Sequence, residues 1–315
     1  MEQQRKIESV VQFPNERGEV LRGVLHSPEI GDESRKKTIV IFPNGGVMGC
    51  EGDYRAHVSM ARHLARSGYY VLRFSPSGLG YSDGDIPNCR QKNLYVQVEY
   101  GLFVADIRAA VKFVQTIESI SSITLSGICG GAMSSFLAAA ELKEVQYVIP
   151  IGIPVLLDND DINYEVRLPA DEAKLMVKIY HQKLFSPKAW VRLLTKKSDI
   201  QKIKGAILAL FRPKGAYIST GNEIGKFAEN PNFFKAARRI FKARKKVLFV
   251  FGASDGFWWE FQRLFLKRYY AEVKDAPFDL YLSPGANHML SMPEMQVDVV
   301  QAMLAWMNKH HGHTS

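Results

Sequence analysis

Residues 121–135, SSITLSGICGGAMSS, run from a β-branched apolar segment into Gly127-Ile128-Cys129-Gly130-Gly131 and on into small residues of helical character. A strand that passes this abruptly into a helix strains the residue at the bend, which is tolerable only where its neighbours lack bulk. Gly127, Gly130 and Gly131 supply that space. Cys129 then projects its sulfur above the C-terminal edge of a sheet, at a helix N-terminus whose dipole and unpaired N–H groups favour a thiolate. Alone, the pentapeptide suits a buried structural cysteine equally well. The rest of the chain decides.

The chain before the elbow alternates strands and helices. Residues 7–26 read as two strands joined by Asn-Glu-Arg-Gly, an antiparallel hairpin. Residues 38–42 (TIVIF) form a continuous apolar strand of the kind covered on both faces, ending in Pro43-Asn44-Gly45-Gly46. A helix over 54–67, closed by Gly68, leads to the strand 69–74 (YYVLRF), and a helix over 101–117 feeds the elbow strand. The glycine cluster at 77–84 has the wrong spacing for G-x-G-x-x-G and opens no helix, so it reads as a tight loop, not a dinucleotide site.

After a strand at 145–153 the strand pattern stops. Helical runs at 170–184, 187–194, 200–211 and 231–243 replace it, and strands return at 246–252 and 278–282 around an aromatic helix at 258–270, with a last helix at 294–308. The expected organisation is a core of 1–157 with 246–315, carrying a helical insertion of 158–245. A length of 315 residues suits such an arrangement.

Charge is concentrated in the insertion. The chain carries +9 overall, while residues 196–246 hold fourteen Lys/Arg against three Asp/Glu. The remainder is near neutral, which argues against a general nucleic-acid-binding surface and for a local basic face. Three cysteines cannot all pair and MEQQRKIESV shows no leader pattern, so a reducing cytoplasm is the expectation. No apolar run is long enough to span a bilayer: the longest, 145–157, contains two prolines and a glycine. No metal or cofactor is implied, and His310, His311 and His313 read as a frayed terminus.

Two further residues stand at strand ends. Asp255 follows the strand 246–252 in Gly-Ala-Ser-Asp-Gly, and His288 follows 278–282 in Pro-Gly-Ala-Asn-His. Nucleophile, acid and histidine in that chain order, at the ends of three core strands, match the α/β-hydrolase arrangement. From Ile7 to the last helix the chain resembles the α/β-hydrolase superfamily. LARSGYYVLRF, GLGYSDG, DIRAAVKF, GASDGFWWEF and GANHML, with the loop 45–57, resemble bacterial hydrolases associated with exosortase and exopolysaccharide loci. Two positions depart from that branch: Ser75 stands where Asp is usual and Ser77 where Arg is usual.

The resemblance implies an α/β-hydrolase fold, a mostly parallel doubly covered sheet with an N-terminal antiparallel hairpin and a helical cap. It implies Cys129 as nucleophile, His288 as general base then acid, and Asp255 as the orienting carboxylate. It also implies an oxyanion hole from the N–H groups of Gly130 and Gly46, with Asn44 where many relatives have His. For Cys50, Cys89, His57 and His63 a structural role is preferred.

A cysteine nucleophile makes the acyl-enzyme a thioester, which forms in a near-even exchange from a thioester substrate and uphill from an ordinary ester. The expected substrate is therefore a small-molecule acyl thioester, bound to coenzyme A or a carrier protein, or an activated ester. Hydrolysis comes first, acyl transfer to an amine or alcohol second, and a non-catalytic binding protein stands as the different class. Phe233, Phe234 and Phe241, interleaved with Lys235, Arg238, Arg239 and Lys242, outline an amphipathic basic helix. Packing of its aromatics on the core is preferred over a membrane surface as their partner.

Overall fold

The computed structural model describes residues 7–29, 37–44, 49–88, 91–157, 229–269 and 278–311. Among these, eight strands form one sheet in the order β1-β2-β4-β3-β5-β6-β7-β8. The strands are β1 (Glu8–Pro14), β2 (Val20–His26), β3 (Thr38–Pro43), β4 (Tyr70–Ser75), β5 (Ser122–Ile128), β6 (Val145–Ile151), β7 (Lys246–Gly252) and β8 (Phe278–Ser283). β1 pairs with β2 and β2 with β4 antiparallel, and every later pairing is parallel. The hairpin turns at Asn15, whose Oδ1 accepts from the N–H groups of Arg17 and Glu19, with Gly18 at φ 79°.

The helices are α1 (Ala56–Arg66), α2 (Gln91–Glu99), α3 (Val104–Val114), α4 (Gly130–Ala139), α5 (Pro231–Lys242), α6 (Gly256–Glu260) and α7 (Pro293–His311), with a π-helical run at Phe261–Tyr269. The parallel strands are apolar at consecutive positions because both faces are covered. On one face Val40, Phe42, Val71 and Val250 pack with Met60 and Leu64 of α1 and Val299, Met303 and Trp306 of α7. On the other face, Phe249 of β7 meets Phe136 of α4 and the π-helical Phe261 and Phe265. All ten residues of α4 are buried, so the helix that follows the elbow is fixed in the core.

Several expectations change. A helix at Gln91–Glu99 was absent from the sequence reading, since Leu94 and Val98 are too few to mark a periodic face, yet both are buried. Residues 231–242 were expected in the basic insertion. They form α5, which buries Phe233, Ala236, Ala237, Ile240 and Phe241, with Phe233 stacked on Phe136 at 5.2 Å. Asn230 caps α5 by accepting from the N–H groups of Asn232 and Phe233 and anchors it by donating to the Glu99 carbonyl, while Pro231 suits the first turn. Lys235, Arg238, Arg239 and Lys242 face outward. By contacts, Met1–Asp158 with Glu229–Ser315 form one unit and Asn159–Ala228 another. The helices expected at 170–184, 187–194 and 200–211 lie outside the described residues.

Of the three terminal histidines expected to fray, His310 and His311 belong to α7, and His313 lies outside the described residues. α7 runs to His311, the His310 ring packs on Trp306 at 4.8 Å, and its carbonyl accepts from the Tyr147 hydroxyl. Asp279 on β8 takes the Trp306 indole N–H at 2.7 Å. These partners hold the last turn. No helix among the described residues is long and apolar enough to cross a membrane.

Two buried histidines tie stability to pH. His26 accepts from the Arg73 Nε at 3.0 Å, and burial, aided by the Arg73 charge, lowers its pKa from 6.5 to about 4. His57 stacks on Phe42 at 5.3 Å with no partner on either ring nitrogen, and burial lowers its pKa to about 4 as well. The folded state holds both neutral. Their contribution is complete above pH 6.5 and is lost as pH falls from 6.5 towards 4, on the order of 3 kcal/mol each. Urea melts at stepped pH should show His57→Phe losing less stability than wild type between pH 6.5 and 4. Equal losses would contradict the assignment.

Candidate active site

β5 delivers Cys129 into a conformation with φ 54° and ψ −116°, far from the regions open to ordinary residues. The bend is held from both sides. The Cys129 N–H donates to the Ile151 carbonyl at 3.0 Å, and the Cys129 carbonyl accepts from the Met133 N–H at 3.0 Å. A Cβ on Gly127 would stand 2.5 Å from the Gly131 carbonyl carbon, so strand and helix can pass only where that glycine sits. Strain of this kind costs on the order of 1–3 kcal/mol. Cys129→Gly should therefore be more stable than Cys129→Ala in urea melts, by about 1 kcal/mol after the entropy of the unfolded glycine is counted. A less stable glycine variant would show that the elbow is unstrained.

Asp255 and His288 reach the same sheet edge from β7 and β8. Asp255 is buried and occupies the cap position of α6, where its Oδ1 accepts from the Phe257 N–H at 2.9 Å. This capping starts α6 at Gly256 rather than at the expected 258. The other carboxylate oxygen, Oδ2, lies 3.0 Å from His288 Nδ1. The Cys129 side chain acts on His288 as well, favouring its charged form. Burial pushes the His288 pKa down, but the hydrogen bond to Asp255, the Cys129 side chain and their charges outweigh it, leaving the imidazolium favoured well above 6.5. One imidazole thus answers to a carboxylate at 3.0 Å and, electrostatically, to the Cys129 sulfur.

The loop carrying His288 is tightly fixed. Asn287 accepts from the Ser291 N–H and donates to its hydroxyl, and Leu290 is buried at φ 47°. The Leu290 carbonyl accepts from Gln296 Nε2 at 3.0 Å. The Phe257 ring meets the imidazole edge to face at 4.6 Å.

Two glycines at strand ends make this approach possible. Gly152, directly after β6, has φ 57°, and a Cβ there would lie 2.9 Å from both Asp255 Oδ2 and His288 Nδ1. A Cβ on Gly252 would lie 2.2 Å from the Ala286 carbonyl oxygen. Neither glycine was assigned a role from sequence: Gly252 stands three residues before Asp255, but Gly152 has no predicted site residue near it in the chain. Phe257 was likewise missed, for its ring is recognisable only once His288 is beside it.

The remaining positions sort plainly. Gly130 opens α4, where first-turn N–H groups have no acceptor within the helix, as an oxyanion donor requires. Gly46 and Cys89 lie outside the described residues. Asn44 is buried and donates to the Gly49 carbonyl at 2.5 Å. Cys50 accepts from Arg73 at 3.3 Å, and burial raises its pKa. His63 Nδ1 lies 2.8 Å from the Ser59 carbonyl.

Ser77 donates to Asp106 Oδ2 at 2.6 Å and accepts from Arg17 at 2.7 Å. Ser75 is buried, with its carbonyl taking the Ser82 hydroxyl. No group of three or more His, Cys, Asp or Glu among the described residues could hold a metal ion.

No family model and no curated protein matches the chain. Solved structures do. The esterase Pf2001 of Pyrococcus furiosus aligns with a TM-score of 0.56 at 15% identity, over 96% of this chain and 90% of its own. The α/β hydrolase GrgF from a Penicillium species aligns at 0.57 and 17%, over 97% and 99%. XC6422 of Xanthomonas campestris, an α/β serine hydrolase without a lid, aligns at 0.53 and 15%, over 97% and 96%. With the strand order above, these likenesses establish the α/β-hydrolase fold.

Proposed function

We propose that the protein is an acyl hydrolase with a cysteine nucleophile, acting on an acyl thioester or activated ester through an S-acyl intermediate. The observation that carries this reading is the 3.0 Å contact of His288 Nδ1 with the buried Asp255 carboxylate, at the sheet edge where Cys129 stands at a strained bend. Cys129 gives its proton to His288 as its sulfur adds to the substrate carbonyl, and the Gly130 N–H stabilises the oxyanion. The bond from the acyl carbon to the leaving thiol or alkoxide then breaks as His288 gives up a proton. Water attacks the thioester, His288 takes its proton, and the carbon–Sγ bond breaks to release the acid.

A cysteine makes thioester substrates the best matched, since one C–S bond replaces another. Paired assays of coenzyme A thioesters and p-nitrophenyl esters of the same acyl group test this. The expected result is turnover of both with higher kcat/KM for the thioester; turnover of neither would remove the reading. Product analysis separates hydrolysis from transfer, because adding an amine yields amide only if transfer competes.

A further inference from the structure

Away from the Cys129 site, a groove of about 420 Å³ runs along the outer side of α1 and the start of α7. Its lining includes Tyr54, Arg55, Arg62, His63, Arg66 and Gln296, and no carboxylate among the described residues. Arg62 and Arg66 reach Glu8 at 2.7 Å and Glu29 at 3.7 Å. Arg55 is exposed and has no ion-pair partner among the described residues. Tyr54 and Arg55 both hold left-handed backbone, at φ 50° and 56°. That conformation is costly for non-glycine residues, and neither gains burial from it, so packing does not explain it.

The groove is joined to the loop of His288. Gln296 donates from Nε2 to the Leu290 carbonyl at 3.0 Å and to the Tyr54 carbonyl at 3.4 Å. One wall runs the length of α1 from Arg55 to Arg66, and the other is the start of α7, the two helices that follow the β3 and β8 loops at the sheet's C-terminal edge. α1 extends about 16 Å from that edge, which suits an elongated ligand better than a single small anion. Arg62 is held on both Glu8 oxygens and Arg66 lies by Glu29, so Arg55 is the groove arginine whose fork is open to phosphate.

We propose that this groove binds the phosphorylated nucleotide arm of a coenzyme A thioester whose acyl end lies at Cys129. The proposal rests on the acyl-hydrolase reading for its substrate class, but the groove can be tested without turnover. Adenosine 3′,5′-bisphosphate is titrated calorimetrically into the intact protein and into Arg55→Glu/His63→Glu, each checked for an unchanged melting profile. Saturable binding is expected, weakened at least about tenfold in the variant because charged hydrogen bonds are lost. Absence of saturable binding, or equal affinity in the two proteins, overturns the proposal. So does equally tight binding of inorganic triphosphate, which would mark a nonspecific basic patch.

A second arm reads catalysis. The variant should show KM for an acyl-coenzyme A raised about tenfold or more with kcat kept, and no change for the matching acyl-N-acetylcysteamine, which lacks phosphate. Equal changes for both substrates overturn the groove. Turnover of neither substrate by wild type counts against the hydrolase reading, and the bisphosphate titration still decides the groove.

Discussion

Asp255→Asn is expected to lower kcat by about 10³- to 10⁴-fold without unfolding the protein. The substituted amide can still cap α6, because its oxygen can take the Phe257 N–H that Asp255 Oδ1 now accepts. Its NH₂ group then faces His288 Nδ1, where the wild-type carboxylate Oδ2 sits at 3.0 Å. Two donors oppose each other, and the imidazole turns to a tautomer that cannot take a proton from Cys129. The pH profile should move as well. Asp255 raises the His288 pKa, so the loss of activity as pH rises through that pKa should shift to lower pH in the variant.

Stability follows the same sign. A His288 pKa raised above 6.5 contributes stability that is complete below pH 6.5 and is lost as pH rises through the folded-state value. The stability gap between wild type and Asp255→Asn should therefore be widest in that lower range and close towards alkaline pH. An unmoved alkaline limb would show that Asp255 does not act through His288.

Gly152→Ala is expected to lower kcat by about 100-fold, with a stability loss of about 1–3 kcal/mol. The added methyl would stand 2.9 Å from Asp255 Oδ2 and from His288 Nδ1, and φ 57° is unfavourable for alanine. Relief requires the imidazole and carboxylate to separate by tenths of an ångström, which breaks the link from Asp255 to Cys129. Kinetics on the folded variant, beside a urea melt, distinguish the two effects. Full activity with only a stability loss would place Gly152 outside the site.

Most of the fold was legible because the strands are buried on both faces and therefore read as unbroken apolar runs, as 38–42 and 246–252 do. The elbow was legible because steric exclusion leaves a glycine signature: Gly127 is required where strand and helix cross. Asp255 and His288 stood out by chain order at strand ends. Gly152 did not, because its role depends on side chains about 100 and 136 residues further along meeting above it. Residues 231–242 were read as a helix within the basic insertion with its aromatics packed on the core, and the helix and that packing are what the structure has. Their basic composition describes the outward face of α5, while Phe233 and Phe241 determine where the helix packs.

The basic groove was invisible in composition. Arg55, Arg62, His63 and Arg66 lie along one side of α1, and the start of α7 beside them closes the groove.

The central claim is that the Cys129 sulfur carries the acyl group, and intact mass spectrometry reads this directly. Wild type and Cys129→Ala are mixed with an acyl thioester, quenched in acid over milliseconds to minutes, and weighed. The account predicts a transient gain equal to the acyl group on wild type, located to the Cys129 peptide and absent from Cys129→Ala. Thioester consumption by Cys129→Ala at the wild-type rate, with no acyl mass on wild type at any quench time, would contradict it.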